Sequence, residues 1–323
     1  MESLYCSPKT GLPIKKIGDN FISESGDEKF PIVNEIPRFC LAKNYSKNFG
    51  FQWQKFDTTQ LDKNNNLKFS ENRFYGSTQW NPKVISKQNV LEVGSGAGRF
   101  SEVFLKTTTG ILHSIDYSNA VEVNLKNNYK YKNRLAISQA SIYEMPFPDS
   151  TFDKVFCLGV LQHTPSFKKS VIALIEKAKE GGEIVVDFYP LKGWYTKIHS
   201  KYILRPLTKR LPNKILLKLI SINVGWMIIV FDFLCSLKLK FLTRFIPITD
   251  ISNFPKQLTR KQRKEWAIMD TFDGFSPEYD NPMRIKDVKK IFAENGCGIN
   301  FAGVINYEGG SSAVVKVTKL KDQ

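Results

Sequence analysis

Cysteine and histidine are scarce: 323 residues hold five cysteines and three histidines, none of them grouped. Cys6, Cys40, Cys157, Cys235 and Cys297 include no CxxC pair, so neither a disulfide framework nor a zinc site is readable and no metal is expected. That usage fits a reducing cytoplasm. Met1-Glu2-Ser3-Leu4-Tyr5 lacks the basic stretch and apolar run of an export signal, which supports the same expectation. Internal repeats and low-complexity tracts are missing as well. Long apolar runs are rare; Ile215 to Leu237 comes nearest, interrupted by Lys218 and Asp232. Its 23 residues could cross a bilayer of roughly 30 Å by length. The two charges and Asn223-Val224-Gly225 argue against a true span.

Acidic residues are nearly absent from one region. Lys192 to Lys264 holds 16 Lys and Arg against Asp232 and Asp250, a local charge of +14 out of +16 for the whole chain. So confined an excess points to a solvated basic face or to an anionic partner of that segment. At 42% hydrophobic and 24% charged residues the chain is otherwise an ordinary globular protein, long enough for one large domain with appendages.

Five regions follow from the punctuation. Residues 1–40, with Gly11, Pro13, Gly18, Gly26, Pro31 and Pro37 between short apolar runs, predict a small β-rich module. Residues 41–86 predict a helical, aromatic-rich lead-in. Residues 87–190 alternate strands (Asn89–Val93, Ile111–Ile115, Leu135–Gln139, Phe152–Leu158, Glu183–Phe188) with helices near Arg99–Lys106, Asn119–Asn128 and Phe167–Lys179. Gly181-Gly182 reads as the stop of the last helix. Residues 191–265 form a basic, partly apolar helical insert, and residues 266–323 add a helix near Ile285 to Glu294 and two short strands. The expected fold is α/β: a Rossmann-like doubly wound sheet, mostly parallel with an antiparallel C-terminal strand, plus the insert and the N-terminal module. Ligands of such sheets sit beyond the carboxyl ends of the strands, where strand order reverses.

Val90-Leu91-Glu92-Val93-Gly94-Ser95-Gly96-Ala97-Gly98-Arg99-Phe100 runs from strand through glycine turn into helix. Glycines let the backbone turn tightly and approach a ligand, and the following helix start offers N–H groups to a polar moiety. The spacing is GxGxG, where a dinucleotide fingerprint would need GxGxxG. Glu92 can accept a hydrogen bond from an α-ammonium group, and Asp116, closing the second strand, can bind two ribose hydroxyls. An amino-acid end and a nucleoside end together describe S-adenosylmethionine.

With these features in register the segment resembles class I S-adenosylmethionine-dependent methyltransferases of the UbiE-like type over about 100 residues. The resemblance implies ribose binding by Asp116-Tyr117-Ser118. It implies adenine contacts from the Gln139–Phe147 segment, at Ser141 and Ile142, although many relatives have Asp where Ser141 stands. Phe152-Asp153-Lys154-Val155 on to Leu161-Gln162-His163-Thr164-Pro165 looks like the fourth strand and its substrate-facing loop. The expected cofactor set is Glu92, Gly94, Ser95, Gly96, Gly98, Asp116, Tyr117, Ser141, Ile142 and Leu158. Leu4-Tyr5-Cys6, Gly11-Leu12-Pro13 and Phe30 to Pro37 resemble a zinc-ribbon-like module reduced to a metal-free remnant, since only Cys6 keeps its place.

Methyl transfer from a sulfonium needs a positioned nucleophile, and a base only where the acceptor must lose a proton. His163, Asp187 and Tyr189 are the candidates, His163 having the most suitable unperturbed pKa. Asp273 and Tyr279, in a Phe-Asp … Ser-Pro … Tyr stretch similar to one found late in UbiE-like enzymes, are candidate acceptor contacts. The insert reads as an amphipathic lid over the cleft, and peripheral membrane contact through 192–264 is its second reading. Either suits a small-molecule, lipid-linked or glycan-precursor acceptor. With neither an RNA-binding fold nor an Asn-Pro-Pro-Tyr-like motif, a nucleic-acid partner is not expected. The competing reading is a non-catalytic nucleotide-fold module that binds RNA or a membrane surface through its basic segment.

Overall fold

The computed structural model describes residues 4–41, 44–65, 67–307 and 310–321. The first region is a four-stranded antiparallel sheet in the order β1 (Ile14–Ile17), β2 (Asn20–Ser23), β3 (Lys29–Val33) and β4 (Ile36–Pro37). Asn34 and Glu35, both at positive φ, make the tight β3–β4 turn. Aromatic rings fix this sheet to the body: Tyr5 stacks on Phe147 at 5.5 Å and meets Phe21 and Phe39 at 5.1 Å. Backbone continues the join, with Phe39 N–H donating to the Gln139 carbonyl at 2.8 Å.

The lead-in supplies α1 (Lys47–Lys55), α2 (Asp62–Asn65) and α3 (Phe69–Thr78). The alternating region follows as β5 (Ser86–Val93), α4 (Arg99–Thr107), β6 (Thr109–Asp116), α5 (Ala120–Asn128), β7 (Leu135–Gln139), β8 (Phe152–Leu158), α6 (Phe167–Lys177) and β9 (Ala178–Phe188). The insert supplies α7 (Ser200–Thr208) and α8 (Asn213–Ser236), and α9 (Arg260–Phe275), α10 (Ile285–Glu294), β10 (Cys297–Tyr307) and β11 (Gly310–Lys319) follow. The main sheet runs β10-β11-β9-β8-β5-β6-β7. β5 to β9 are mutually parallel, and β11 pairs antiparallel with both β9 and β10. This is the expected doubly wound sheet with one reversed strand.

Its strands are apolar on both faces because helices cover both. Leu91, Val155, Ile184 and Val315 face α6 and α10 through Leu174 and Phe292. Their alternates Val90, Phe156, Val185 and Val314 face α3 and α4 through Phe74, Phe100 and Phe104. The strand order reverses between β5 and β8, so the loops after Val93 and Leu158 open on one crevice.

Three boundaries differ from the sequence reading. Helix α6 stops at Lys177, not Lys179, because Ala178 takes an extended conformation and pairs with Phe152 in the sheet. Helix α9 runs through the expected division at residue 265, its start fixed by a Thr259–Gln262 capping box. The two last strands are long, 11 and 10 residues, because each pairs along its whole length.

The insert packs on α9. Leu216, Ile220, Val224, Met227 and Phe231 form one stripe of α8. They meet Ala267, Phe272, Phe275 and the 246–251 segment. Asp232, one of the charges inside the apolar run, is paired two-fold with Arg263 of α9 at 2.6 and 2.7 Å.

Candidate functional site

A cavity of about 490 Å³ lies over the crevice. Its floor is the glycine loop and the ends of β6, β8 and β9: Gly94, Ser95, Gly96, Asp116, Tyr117, Leu158 and Tyr189. Its walls come from elsewhere, from Tyr45, Phe49, Gln52 and Trp53 around α1, Phe69 and Arg73 on α3, Trp266, Asp270 and Asp273 on α9, and Tyr307.

The loop is shaped from below. Gly94 and Ser95 N–H groups both donate to the Ile115 carbonyl, and Gly96 N–H donates to Asp116 Oδ2 at 2.9 Å. Gly96 and Gly98 have φ of +52° and +83°, which side chains with a Cβ rarely adopt. They serve different ends. A Cβ on Gly96 would stand 2.8 Å from Trp53 Nε1, at the cavity, whereas one on Gly98 would stand 2.1 Å from Asn124 Oδ1, in the packing behind the loop. Gly98 is therefore not a cavity residue.

Asp116 reaches the cavity. Besides Gly96 it accepts from Ser118 N and Oγ at 2.8 and 2.6 Å, and burial raises its pKa. Glu92 does not reach it. The carboxylate of Glu92 is turned into the sheet, accepting from the Ser101 hydroxyl and from Ser114 Oγ at 2.8 Å, and burial lifts it to about 7. Both hydrogen bonds fall on Oε2 and support the loop from behind, while Oε1 is buried with no hydrogen-bond partner among the described residues. Ser141 and Ile142 also lie off the cavity: Ser141 Oγ accepts from Tyr143 N–H at 3.2 Å and Ile142 is in the core. Tyr45, packed on Tyr117 at 5.0 Å and on Tyr279 at 5.4 Å, forms the wall on that side.

Tyr279 also leads to the candidate bases. His163 is buried, with Nδ1 at 3.1 Å from the Tyr279 carbonyl and Nε2 at 3.9 Å from Asp273 Oδ2. A carbonyl only accepts, so Nδ1 carries the proton and the Nε2 lone pair is free. Burial lowers the His163 pKa, Asp273 opposing, so the ring is neutral near pH 7. Tyr189 donates its hydroxyl to Asp273 Oδ2 at 3.0 Å, and burial drives its pKa well above the phenol range. It is a donor, not a base. Asp187 is withdrawn from the site altogether: it is buried, ion-paired to Arg73 at 2.8 Å, and takes the Gly159 N–H on its other oxygen. Tyr279 contributes its carbonyl, not its hydroxyl, while Asp273 stands on the wall.

A model of the methyltransferase domain matches residues 91–186, which contain the loop, Asp116 and His163. The segment that carries this site, under a third of the chain, is thus similar to a methyltransferase domain. Its cofactor is S-adenosylmethionine. The chain is 28% identical over 133 residues to a tRNA U34 carboxymethyltransferase of Nautilia profundicola, 39% of this chain and 43% of that protein. It is 27% identical over 125 residues to phosphoethanolamine N-methyltransferase 2 of Caenorhabditis elegans, 35% of this chain and 28% of that one. The matches thus span less than half the length of these relatives. Among solved structures, a SAM-dependent methyltransferase from Aquifex aeolicus is 14% identical with a TM-score of 0.44, over 84% of this chain and 98% of that one.

The methyltransferase site has groups suited to that cofactor. Gln52 Oε1, Ser95 Oγ, Arg99 Nε and Nη2 and His163 Nε2 are buried polar atoms with no hydrogen-bond partner among the described residues, all on cavity residues. Buried polar atoms are rarely left so without something to meet them. Asp116, Ser95, Tyr117 and Leu158 would hold the nucleoside and loop-facing parts. Residues that the sequence reading passed over complete the methyltransferase cavity: Arg99 lies over the Phe100 ring at 4.5 Å and Phe69 at 5.4 Å, and Asp270 is lifted to about 7 by burial and by Asp273. For the walls contributed by α1 and α3 the sequence signal was the aromatic richness of the lead-in.

Proposed function

We propose that the chain methylates a small, largely apolar acceptor that must lose a proton, with His163 as the general base. The observation that carries this reading is the neutral His163, its proton held on Nδ1 by the Tyr279 carbonyl and its Nε2 lone pair without a partner on the cavity wall. S-Adenosylmethionine, when bound, supplies an electrophilic methyl group. The acceptor proton passes to Nε2, where the Asp273 carboxylate 3.9 Å away stabilises the imidazolium. Tyr189 fixes Asp273 by its hydrogen bond. Phe49, Trp53, Phe69 and Trp266 provide an aromatic enclosure that suits a flat or aliphatic acceptor and excludes water.

The curated relatives named for a tRNA uridine favour a second reading, with RNA as acceptor. The matched region is chiefly the donor half, and it also matches a phosphoethanolamine enzyme, so it says little about the acceptor. A module that only binds would have no use for the His163–Asp273 pair.

S-Adenosylhomocysteine should bind in calorimetry with a dissociation constant of about 1–100 μM. Labelled S-adenosylmethionine should then pass its methyl group to an organic-soluble or small-molecule fraction of a cell extract. Label entering only the tRNA fraction would replace this acceptor class by RNA. His163→Ala should keep the S-adenosylhomocysteine affinity and lose about 10²–10⁴-fold in transfer. In the native protein the rate should fall only as the pH drops through the His163 pKa, which lies below 6.5.

A further inference from the structure

Helix α8 carries two apolar stripes, and the molecule uses one. The stripe from Leu216 to Phe231 is buried on α9. A second set, Ile215, Leu219, Ile222, Trp226, Ile229 and Phe233, recurs in steps of four and three residues, and every member is exposed. At about 100° per residue these six fall within about 40° of one line, roughly 140° round the helix from the buried stripe. The line is about 27 Å long at about 1.5 Å per residue. A surface helix of a soluble protein needs one such stripe, facing the core. The surroundings share the character: 16 of the 24 large exposed apolar side chains lie between Lys192 and Lys264, including Trp194, Leu207 and Phe241.

The same segment carries the charge of +14. Among the described residues no carboxylate pairs with Arg210, Lys214, Lys218 or Lys238, which stand at the ends and along the flank of the exposed stripe. Apolar side chains and a tryptophan framed by unpaired cations match the boundary between acyl chains and anionic head groups. A second copy would bring like charge against like. RNA phosphates would pair with the cations and leave the apolar stripe in water. Nor can lipid surround the helix, because its other stripe is packed on α9.

We propose that segment 192–264 docks the protein on an anionic membrane, with α8 in the plane of the interface and its Ile215–Phe233 stripe in the acyl boundary. Thr249, Asp250, Asn253 and Phe254 of this segment also line the cavity, while Ile246, Ile248 and Ile251 pack on the buried stripe of α8, so the docking segment forms part of the site's wall. The docking stands apart from the acceptor reading and from the choice of base.

Flotation of the full chain with phosphatidylcholine–phosphatidylglycerol vesicles tests it. Binding is expected at low salt, roughly tenfold or more weaker on pure phosphatidylcholine, and weaker as salt rises to about 1 M and the screening length falls to about 3 Å. Ile222→Glu with Ile229→Glu, at positions 66% and 70% exposed, should leave the circular dichroism spectrum and S-adenosylhomocysteine binding intact. The same pair should cut flotation roughly tenfold or more. Native protein that stays with the solvent while still binding S-adenosylhomocysteine would overturn docking and leave the methyltransferase reading untouched. Equal flotation of the double variant would also overturn it. So would a stable dimer in sedimentation that this variant dissociates.

Discussion

Residues of the same type do different work within a few ångströms here, and substitution separates them. Gly96→Ala places a methyl group against Trp53 at the cavity, while Gly98→Ala drives one into Asn124 behind the loop. The first should weaken S-adenosylhomocysteine binding in calorimetry beyond what the backbone strain shared by both variants, about 1 kcal/mol or more, accounts for. The second should destabilise the fold by about 1–3 kcal/mol, read in denaturant unfolding. Asp270 gives a pH test. Its carboxyl ionises near pH 3.9 in an unfolded chain but at about 7 here, where burial and Asp273 oppose the charge. Its stabilising contribution is complete below the unfolded value and is lost as pH rises through about 7. Asp270→Asn should therefore flatten the fall in melting temperature between about pH 4 and pH 7, and an unchanged slope would contradict the assignment. Glu92, raised for the same reason, retains part of that slope in the variant.

At the scale of elements, the Arg73–Asp187 pair joins α3 to the end of β9 under the cavity floor. Removing one partner strands a buried charge, so Arg73→Ala should cost about 3–5 kcal/mol. Adding Asp187→Asn to it should restore much of the loss, a coupling that a double-mutant cycle of unfolding free energies would measure. The same pair shows where sequence reading reached and where it stopped. The loop from Gly94 to Gly98 and the acid at 116 were legible because strand, turn and helix follow one another within a few residues. So was the apolar alternation that gives β5 to β9. Asp187 read as a candidate base because its place at a strand end is local information, but its partner Arg73 is 114 residues away. The walls are all of this kind: His163 finds the Tyr279 carbonyl across 116 residues and Gln60 finds Asp270 across 210. Glu92 was placed on the correct strand, but which way its side chain turns depends on Ser101 and Ser114 together.

For the whole molecule, the cavity draws on the lead-in, the core, the insert and the last strands. Ligand binding should therefore stiffen parts of the chain that no local contact links. S-Adenosylhomocysteine at about 100 times its dissociation constant should stabilise the fold by about 2.7 kcal/mol, and should slow protease cleavage near Thr249–Phe254 along with thermal unfolding. Cleavage there at an unchanged rate would mean that this segment is not part of the ligand's enclosure. The strand order carries a different consequence, one of timing. Strand β11 is synthesised after the other six strands of the sheet, yet it lies between β9 and β10. Until it emerges, β9 presents a bare edge, and β10, already made, is the nearest strand able to seize it. The growing sheet must leave that slot open until residues 310–319 emerge, so the slow, error-prone step of folding is the insertion of β11 between two strands made before it.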